Sequence, residues 1–167
     1  MTAIEHDYPG AEIHPIDIVE TLATHAEWDF DRVGEDRIAM AIEGGWRTYA
    51  LTLVWSDHDD MLRLVCTFEL NPPEERRAAL HALLNLANDR LWGGAFSHWS
   101  DETTMAFRGG LSLAGGATAT PEQVEAMVAS AVCLSERYYP AFQLVCWSDE
   151  SPEEALRIAI EEAYGTA

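Results

Sequence analysis

The stretch that decides the fold is residues 46–70, which read WRTYALTLVWSDHDDMLRLVCTFEL. Apolar residues take every second position on both sides of a polar centre at 56–60, and this period of two is typical of strands with one buried face. The Asp- and His-rich centre favours a turn. The stretch therefore predicts an antiparallel hairpin of two long strands. The side chains that share its predicted core face are Tyr49, Leu51, Leu53, Trp55, Leu62, Leu64, Cys66, Phe68 and Leu70.

Two shorter strands precede this hairpin. Apolar and acidic residues alternate over 28–31, and Ile and Met alternate with Ala over 38–42. Gly44 and Gly45 then predict a tight turn with positive φ that leads into the first long strand. Because these runs follow one another with short turns, we expect an antiparallel meander with one face on a core and the other facing water or a partner.

Helical patterns flank the strands on both sides. The first helix is predicted over 15–26, from the Pro at its start and its apolar spacing. Pro140 falls inside the last long helical pattern and should kink or interrupt that helix. The other predicted elements are a helix over 74–92, strands over 95–99 and 103–113, a helix from 121 and an acidic helix over 152–163.

The predicted order, α-ββββ-α-ββ-α(α), belongs to the α+β fold class with an antiparallel sheet and helices. The length of 167 residues suits one domain that needs neither disulfide nor metal for its core. We expect a loose acidic leader over 1–14 and a single α+β domain over 15–167.

The charge of the chain limits its partners. Ten basic residues, all of them Arg, oppose 29 acidic residues, for a formal net charge of −19. Nucleic acids and anionic membranes repel such a chain, because both recognise basic surfaces. No apolar run reaches the roughly 20 residues that span a bilayer, and no secretory signal is evident. We therefore expect a cytoplasmic protein that binds neither nucleic acid nor membrane.

The densest polar cluster consists of Asp57, His58, Asp59 and Asp60. Three carboxylates and an imidazole are possible ligands for a divalent metal. The alternative is a hairpin tip, since Asp and His favour turns and adjacent residues rarely converge on one ion. We regard these residues as weak metal candidates and assign no metal site and no cofactor.

Catalytic motifs are absent from the sequence. The histidines form no HxxxH or HExxH pair, and no Lys is present to complete a phosphate-binding loop, so the Gly-Gly pairs indicate turns. Cys66, Cys133 and Cys146 have no CxxC spacing and are interpreted as reduced, buried core residues. A Cys–His or Ser–His site assembled from distant segments stays open, but we predict that the chain is not an enzyme.

Aromatic residues are plentiful, with six Trp in the chain. Trp and Tyr are enriched at protein interfaces, so some of these side chains are candidates for contact with a partner. The candidate interface residues are Trp46, Trp55, Trp99, Tyr138, Tyr139, Phe142 and Trp147.

Three segments in the last third resemble a known family. They read TPEQVE at 120–125, ERYYPAFQ at 136–143 and SPEEAL at 151–156. These segments, and the element order over 15–147, are similar to the bacterial YbjN family. The resemblance implies the fold of type III secretion chaperones, which bind effector proteins and commonly dimerise, and a regulator of sensory transduction. It implies no catalytic residues.

The leading functional hypothesis is a non-enzymatic intracellular protein-binding module, chaperone-like or regulatory, with a homodimer as a companion hypothesis. A polar sheet face or a sheet edge would be the binding surface, the edge by strand addition. The alternative is a small-ligand or divalent-metal sensor that uses residues 57–60 or a pocket between helix and sheet.

Overall fold

The computed structural model describes residues 13–164, with side chains described as far as residue 160. The leader predicted over 1–14 lies outside these residues except for its last two. His14 of that segment caps the first helix, because its Nδ1 accepts the Ile16 N–H at 3.1 Å. The elements are α1 (Pro15–His25), β1 (Asp29–Arg32), β2 (Arg37–Glu43), β3 (Thr48–Ser56), β4 (Met61–Glu69), α2 (Arg77–Asn88), β5 (Gly94–Trp99), β6 (Thr104–Ser112), α3 (Pro121–Trp147) and α4 (Pro152–Tyr164).

The strands form one antiparallel sheet of six in the order β1-β2-β3-β4-β6-β5. The predicted α+β class and element order are confirmed. Leu53 of β3 pairs with Leu64 of β4, which places the alternating apolar residues of the predicted hairpin on the same face. The register therefore follows from burying that face.

The described helices pack against one face of the sheet. Helix α1 contacts β1, β2 and β3, α3 contacts β4 and β6, and α2 contacts β5, while α4 packs on α2 and α3. Buried residues of sheet and helices join in one hydrophobic cluster. The alternate positions of the strands point the other way, and we call this side the open face. Its central residues are Ala39, Ala41, Ala50, Thr52, Val54, Arg63, Val65, Thr67, Ala95, Ser97, Arg108 and Gly110.

Helix α3 runs without interruption through Pro140, so of the two predicted effects, a kink or an interruption, the interruption is wrong. Pro removes one backbone hydrogen bond and disturbs the preceding turn, at a cost of about 3 kcal/mol in an isolated helix. Here the side chains of Tyr139, Ala141 and Phe142 are buried, and the rings of Tyr139 and Phe142 pack on Phe68 of the sheet. Their burial offsets the local penalty. No helix among the described residues is long and apolar enough to cross a membrane.

Two glycine pairs have a different role from the predicted one. Gly44 and Gly45 do not have positive φ. Instead, a Cβ on Gly44 would come within 2.3 Å of the Glu136 Oε1 and 2.6 Å of the Tyr49 ring, so this position requires glycine for space. The 109–110 pair lies inside β6 and not in a turn. A Cβ on Gly109 would come within 3.1 Å of the Gly93 carbonyl oxygen, and one on Gly110 within 2.8 Å of the Met61 Sδ, so close packing explains the absence of side chains there.

The cysteines divide into two classes. Cys66 and Cys146 are buried, as predicted, and burial raises the pKa of each thiol to about 11. Cys133 is exposed on α3, which corrects the prediction that all three are buried. The apolar neighbours of Cys133 in sequence suggested burial, but the helical period turns this position away from the sheet.

Candidate functional site

Two arginines lie together on the open face. Arg108 of β6 pairs with Val65 of β4, and Arg63 lies two residues from Val65 on the same face. Such diagonal neighbours are about 7–8 Å apart. Arg63 forms an ion pair with Asp59, whose pKa is held below its usual range by hydrogen bonds with Ser56 and Arg63. Arg108 is exposed and forms no ion pair or side-chain hydrogen bond with a described residue.

These arginines border a groove of about 620 Å³ on the open face. The rest of its wall includes Met61, Trp92 and the backbone of Gly93 and Gly110. Trp92 is 100% exposed, in the turn between α2 and β5. A cationic groove beside an exposed indole is a surface that suits an anionic, partly apolar ligand.

A second groove, of about 420 Å³, lies on the helix side of the same sheet edge. Phe107, Leu111 and Met127 line it, together with the backbone of Gly109 and Gly110. The glycines therefore separate a basic groove on the open face from a largely apolar groove on the helix side.

The outer edge of β5 is blocked at its centre. The Asn88 side chain accepts the Phe96 N–H at 2.8 Å and donates to the Phe96 carbonyl at 3.0 Å. This amide takes the place of a neighbouring strand. At the other end of the sheet, β1 is four residues long and carries Asp29 and Asp31. Short, charged or covered edge strands resist pairing with other chains.

The tip of the β2–β3 hairpin is held to α3 by one carboxylate. Glu136 accepts the N–H of Gly45 at 3.0 Å, the N–H of Trp46 at 3.2 Å and the hydroxyl of Tyr49. We call this arrangement the Glu136 latch. Burial and the bond to Glu136 raise the pKa of Tyr49. The latch positions Trp46, whose ring packs on Tyr139 with centroids 5.9 Å apart.

The predicted interface aromatics fall into two groups. Tyr138, Tyr139 and Phe142 are buried in the core, so a partner cannot cover them in the folded chain. Their positions on α3 meet the sheet, where the helix buries its apolar stripe. Trp46 and Trp147 are 61% and 52% exposed.

Trp55 and Trp99 are half-buried. Trp55 lies edge-on to the His14 ring, and Trp99 points to the open face opposite Thr104. The sequence-based candidates did not include Trp92, Arg63 or Arg108. Outward strand positions that carry the scarce basic residues of an acidic chain were the signal that could have identified these two arginines.

The weak metal candidates form the exposed β3–β4 turn. Asp59 is engaged by Arg63, and Asp60 has a φ of 50°. Among residues 13–164, no group of three or more His, Cys, Asp and Glu side chains is arranged to hold a metal ion. The geometry therefore does not favour the metal-sensor alternative.

His98 comes nearest to a catalytic arrangement. Its Nε2 lies 3.1 Å from the Leu70 carbonyl, and its Nδ1 is 3.4 Å from the Ser100 Oγ. Burial lowers the pKa of His98. With one ring nitrogen bonded to a backbone carbonyl and no described carboxylate bonded to the ring, this pair lacks the third group that orients a general base.

The family model YbjN, described as "Putative bacterial sensory transduction regulator", matches residues 15–144. The chain belongs to the YbjN family. The chain is similar in structure to the crystal structure of YbjN, "a putative transcription regulator from E. coli", with a TM-score of 0.51 and 14% sequence identity. The match covers 92% of this chain and 95% of the E. coli chain. At this identity the likeness shows the fold alone. No curated protein matches the chain.

The resemblance to the YbjN family is thereby confirmed, and the described family role is regulatory. The comparison with type III secretion chaperones stays a prediction. For this member of the YbjN family, the open face and the edge beside Trp92 are the surfaces with a distinct chemical character.

Proposed function

We propose that the chain is a non-enzymatic regulatory module that binds a protein through the open face of its sheet. The observation that carries the proposal is a broad surface of small side chains which no described helix contacts extensively. Sheets of this kind commonly bury one face and present the other to solvent or to a partner. The family description supports a regulatory role.

Charge favours a protein over a nucleic acid as the partner. The net charge of −19 opposes contact with phosphates. Arg37, Arg63 and Arg108 on the open face are accompanied there by four acidic residues, Asp29, Asp31, Glu43 and Glu69. Protein partners tolerate such mixed charge, because complementary patches set specificity and association rate. A regulator of this composition would act through another protein and not by direct contact with DNA.

The sheet edges are less suitable than the face over most of their length. Asn88 occupies the centre of the β5 edge, and β1 is short and acidic. Strand addition at either position would displace the amide or bring a peptide against two carboxylates. The open face has no such obstacle among the described residues.

Site-specific photo-crosslinking in the organism that encodes the protein tests this proposal. A photoreactive residue replaces Ala50, which is exposed on the open face, or Glu125, which is exposed on α3. We expect discrete protein adducts from position 50, because a partner that covers the sheet lies within reach of that side chain. Position 125 serves as the matched control on the same fold.

The proposal fails if adducts form from position 125 and none form from position 50. Equal yields from both positions would also count against it, because they indicate random collision and not a defined surface. Far-UV circular dichroism of each labelled protein checks that the substitutions leave the fold intact.

A further inference from the structure

Strand β6 extends beyond its neighbour on one side. β5 pairs with β6 from Trp99↔Thr104 to Gly94↔Gly109, whereas β4 pairs with β6 as far as Ser112. By the same register Gly93 lies opposite Gly110, and its carbonyl oxygen is 3.1 Å from the position that a Cβ of Gly109 would take. Among the described residues, only 111 and 112 of β6 therefore have no strand partner on their outer side. We call this unpaired stretch the edge gap.

Backbone groups of the edge gap point outward. The Phe96 N–H and carbonyl both bond to Asn88 and therefore point away from β6. Because bonding direction alternates along a strand, the next residue, Ala95, exchanges bonds with its partner Arg108. The same alternation along β6 turns the N–H and C=O of Ser112 toward the gap, one step beyond Gly110, which faces Gly93. These groups can bond a strand that continues the line of β5.

The two grooves lie on either side of the edge gap. Both have Gly93, Gly109 and Gly110 in their walls, one on the open face and the other on the helix side. Successive side chains of a strand point to opposite faces of its sheet. A peptide in the gap would therefore send alternate side chains into the basic groove and into the groove lined by Phe107 and Leu111.

Charge selects the side chains that suit the open-face groove. Arg108 is an exposed guanidinium without an ion pair among the described residues, although the chain carries 29 acidic residues. A planar guanidinium binds a carboxylate through paired hydrogen bonds. The net charge of the chain opposes the approach of an acidic peptide, but salt screens distant charges beyond about 8 Å and leaves the local pair.

We propose that the edge gap binds an extended peptide of a partner protein in which acidic and apolar side chains alternate. Ser112 supplies backbone hydrogen bonds, and Arg108 binds a carboxylate of the peptide. Apolar side chains enter the helix-side groove. This inference rests on the proposed protein-binding function and adds the chemistry of the partner.

The test uses the full chain and a fluorescently labelled peptide of alternating Asp and Val. Fluorescence anisotropy compares it with peptides of alternating Asn and Val and of alternating Lys and Val. We expect the Asp peptide to bind at least about tenfold more tightly than either control, which is the effect of one good charge-assisted contact. In the complex, hydrogen exchange of the Ser112 amide should slow, because that N–H group becomes hydrogen-bonded.

Charge-reversed variants locate the contact. Arg108→Glu should weaken binding by about tenfold or more. Arg37→Glu is the matched control, since Arg37 is exposed at the β2 end of the same face without a described partner, and it should change affinity less than about twofold. Urea unfolding of both variants checks that each is folded, and the exchange measurement needs no variant.

Several results would overturn the inference. Equal affinity for the Asp and Asn peptides, equal loss in the two variants, or unchanged exchange at the Ser112 amide would each do so. Self-association of the chain that Arg108→Glu abolishes would assign the gap to a second copy instead. If the Asp peptide does not bind while crosslinks still form from position 50, this inference fails and the proposed function stands.

Discussion

Removal of the Glu136 carboxylate is the sharpest test of how the β2–β3 hairpin is attached. In Glu136→Ala three donors lose their acceptor. The Tyr49 side chain is fully buried, and losing a charged acceptor costs about 1.5–3 kcal/mol. The N–H groups of Gly45 and Trp46 can bond to water instead, so the loss of each bond lowers the free energy of unfolding by only about 0.5 kcal/mol. We therefore expect a loss of about 3 kcal/mol in the free energy of unfolding.

Urea unfolding and thermal melting measure this loss. For a domain of this size, about 3 kcal/mol corresponds to a decrease in Tm of about 6–12 °C. Glu125→Ala is the control on the same helix, because Glu125 is exposed and has no described partner, and it should cost less than about 0.5 kcal/mol.

A double-mutant cycle identifies the bond responsible. Tyr49→Phe alone should cost about 1–2 kcal/mol, and the double variant with Glu136→Ala should be more stable than the sum of the single losses predicts, by about 1 kcal/mol or more. If the two losses are additive, or if Glu136→Ala matches its control, then Glu136 does not hold the hairpin and the reasoning is refuted.

Three further predictions concern pH, thiols and packing. An unfolded Tyr ionises near pH 10 whereas folded Tyr49 keeps its proton, so stability should fall as pH rises above about 10, and Tyr49→Phe should make this loss shallower in urea titrations. A disulfide reagent at neutral pH should label Cys133 rapidly and the two buried thiols only after unfolding; rapid labelling of all three would contradict their burial. Gly44→Ala should destabilise the chain by about 1–3 kcal/mol, since its Cβ would displace Glu136, whereas Gly93→Ala, whose Cβ meets nothing within 4 Å, should not; equal urea midpoints for the two variants would disprove the packing argument.

The strands were predictable because a buried face imposes a period of two, and residues 46–55 and 61–70 show that period on either side of the polar turn. The path of α3 through Pro140 was not predictable from the sequence, because Pro is unfavourable inside a helix. The burial of Tyr139 and Phe142 in the folded chain offsets that cost. Periodicity also places α3 residues in the core, where the aromatic count alone had suggested an interface.

The candidate site was less predictable than the fold. The edge gap depends on β5 being shorter than β6, and Gly109 and Gly110 resembled a turn when considered alone. Arg108 gains its significance from having no ion pair with any described residue, which is a property of the three-dimensional arrangement. A local sequence pattern does not show which charged side chains the fold brings close to Arg108 and which it keeps apart from it.

The amide of Asn88 also determines how far the sheet can grow. A β-sheet with two bare edges can add further copies of itself without limit, which leads to fibrils. One side chain that bonds both backbone groups of Phe96 terminates that growth on the β5 side. The unpaired stretch that follows on β6 is two residues long, too short to nucleate polymerisation between whole sheets. Replacing Asn88 would therefore threaten the solubility of concentrated protein before it threatened the fold.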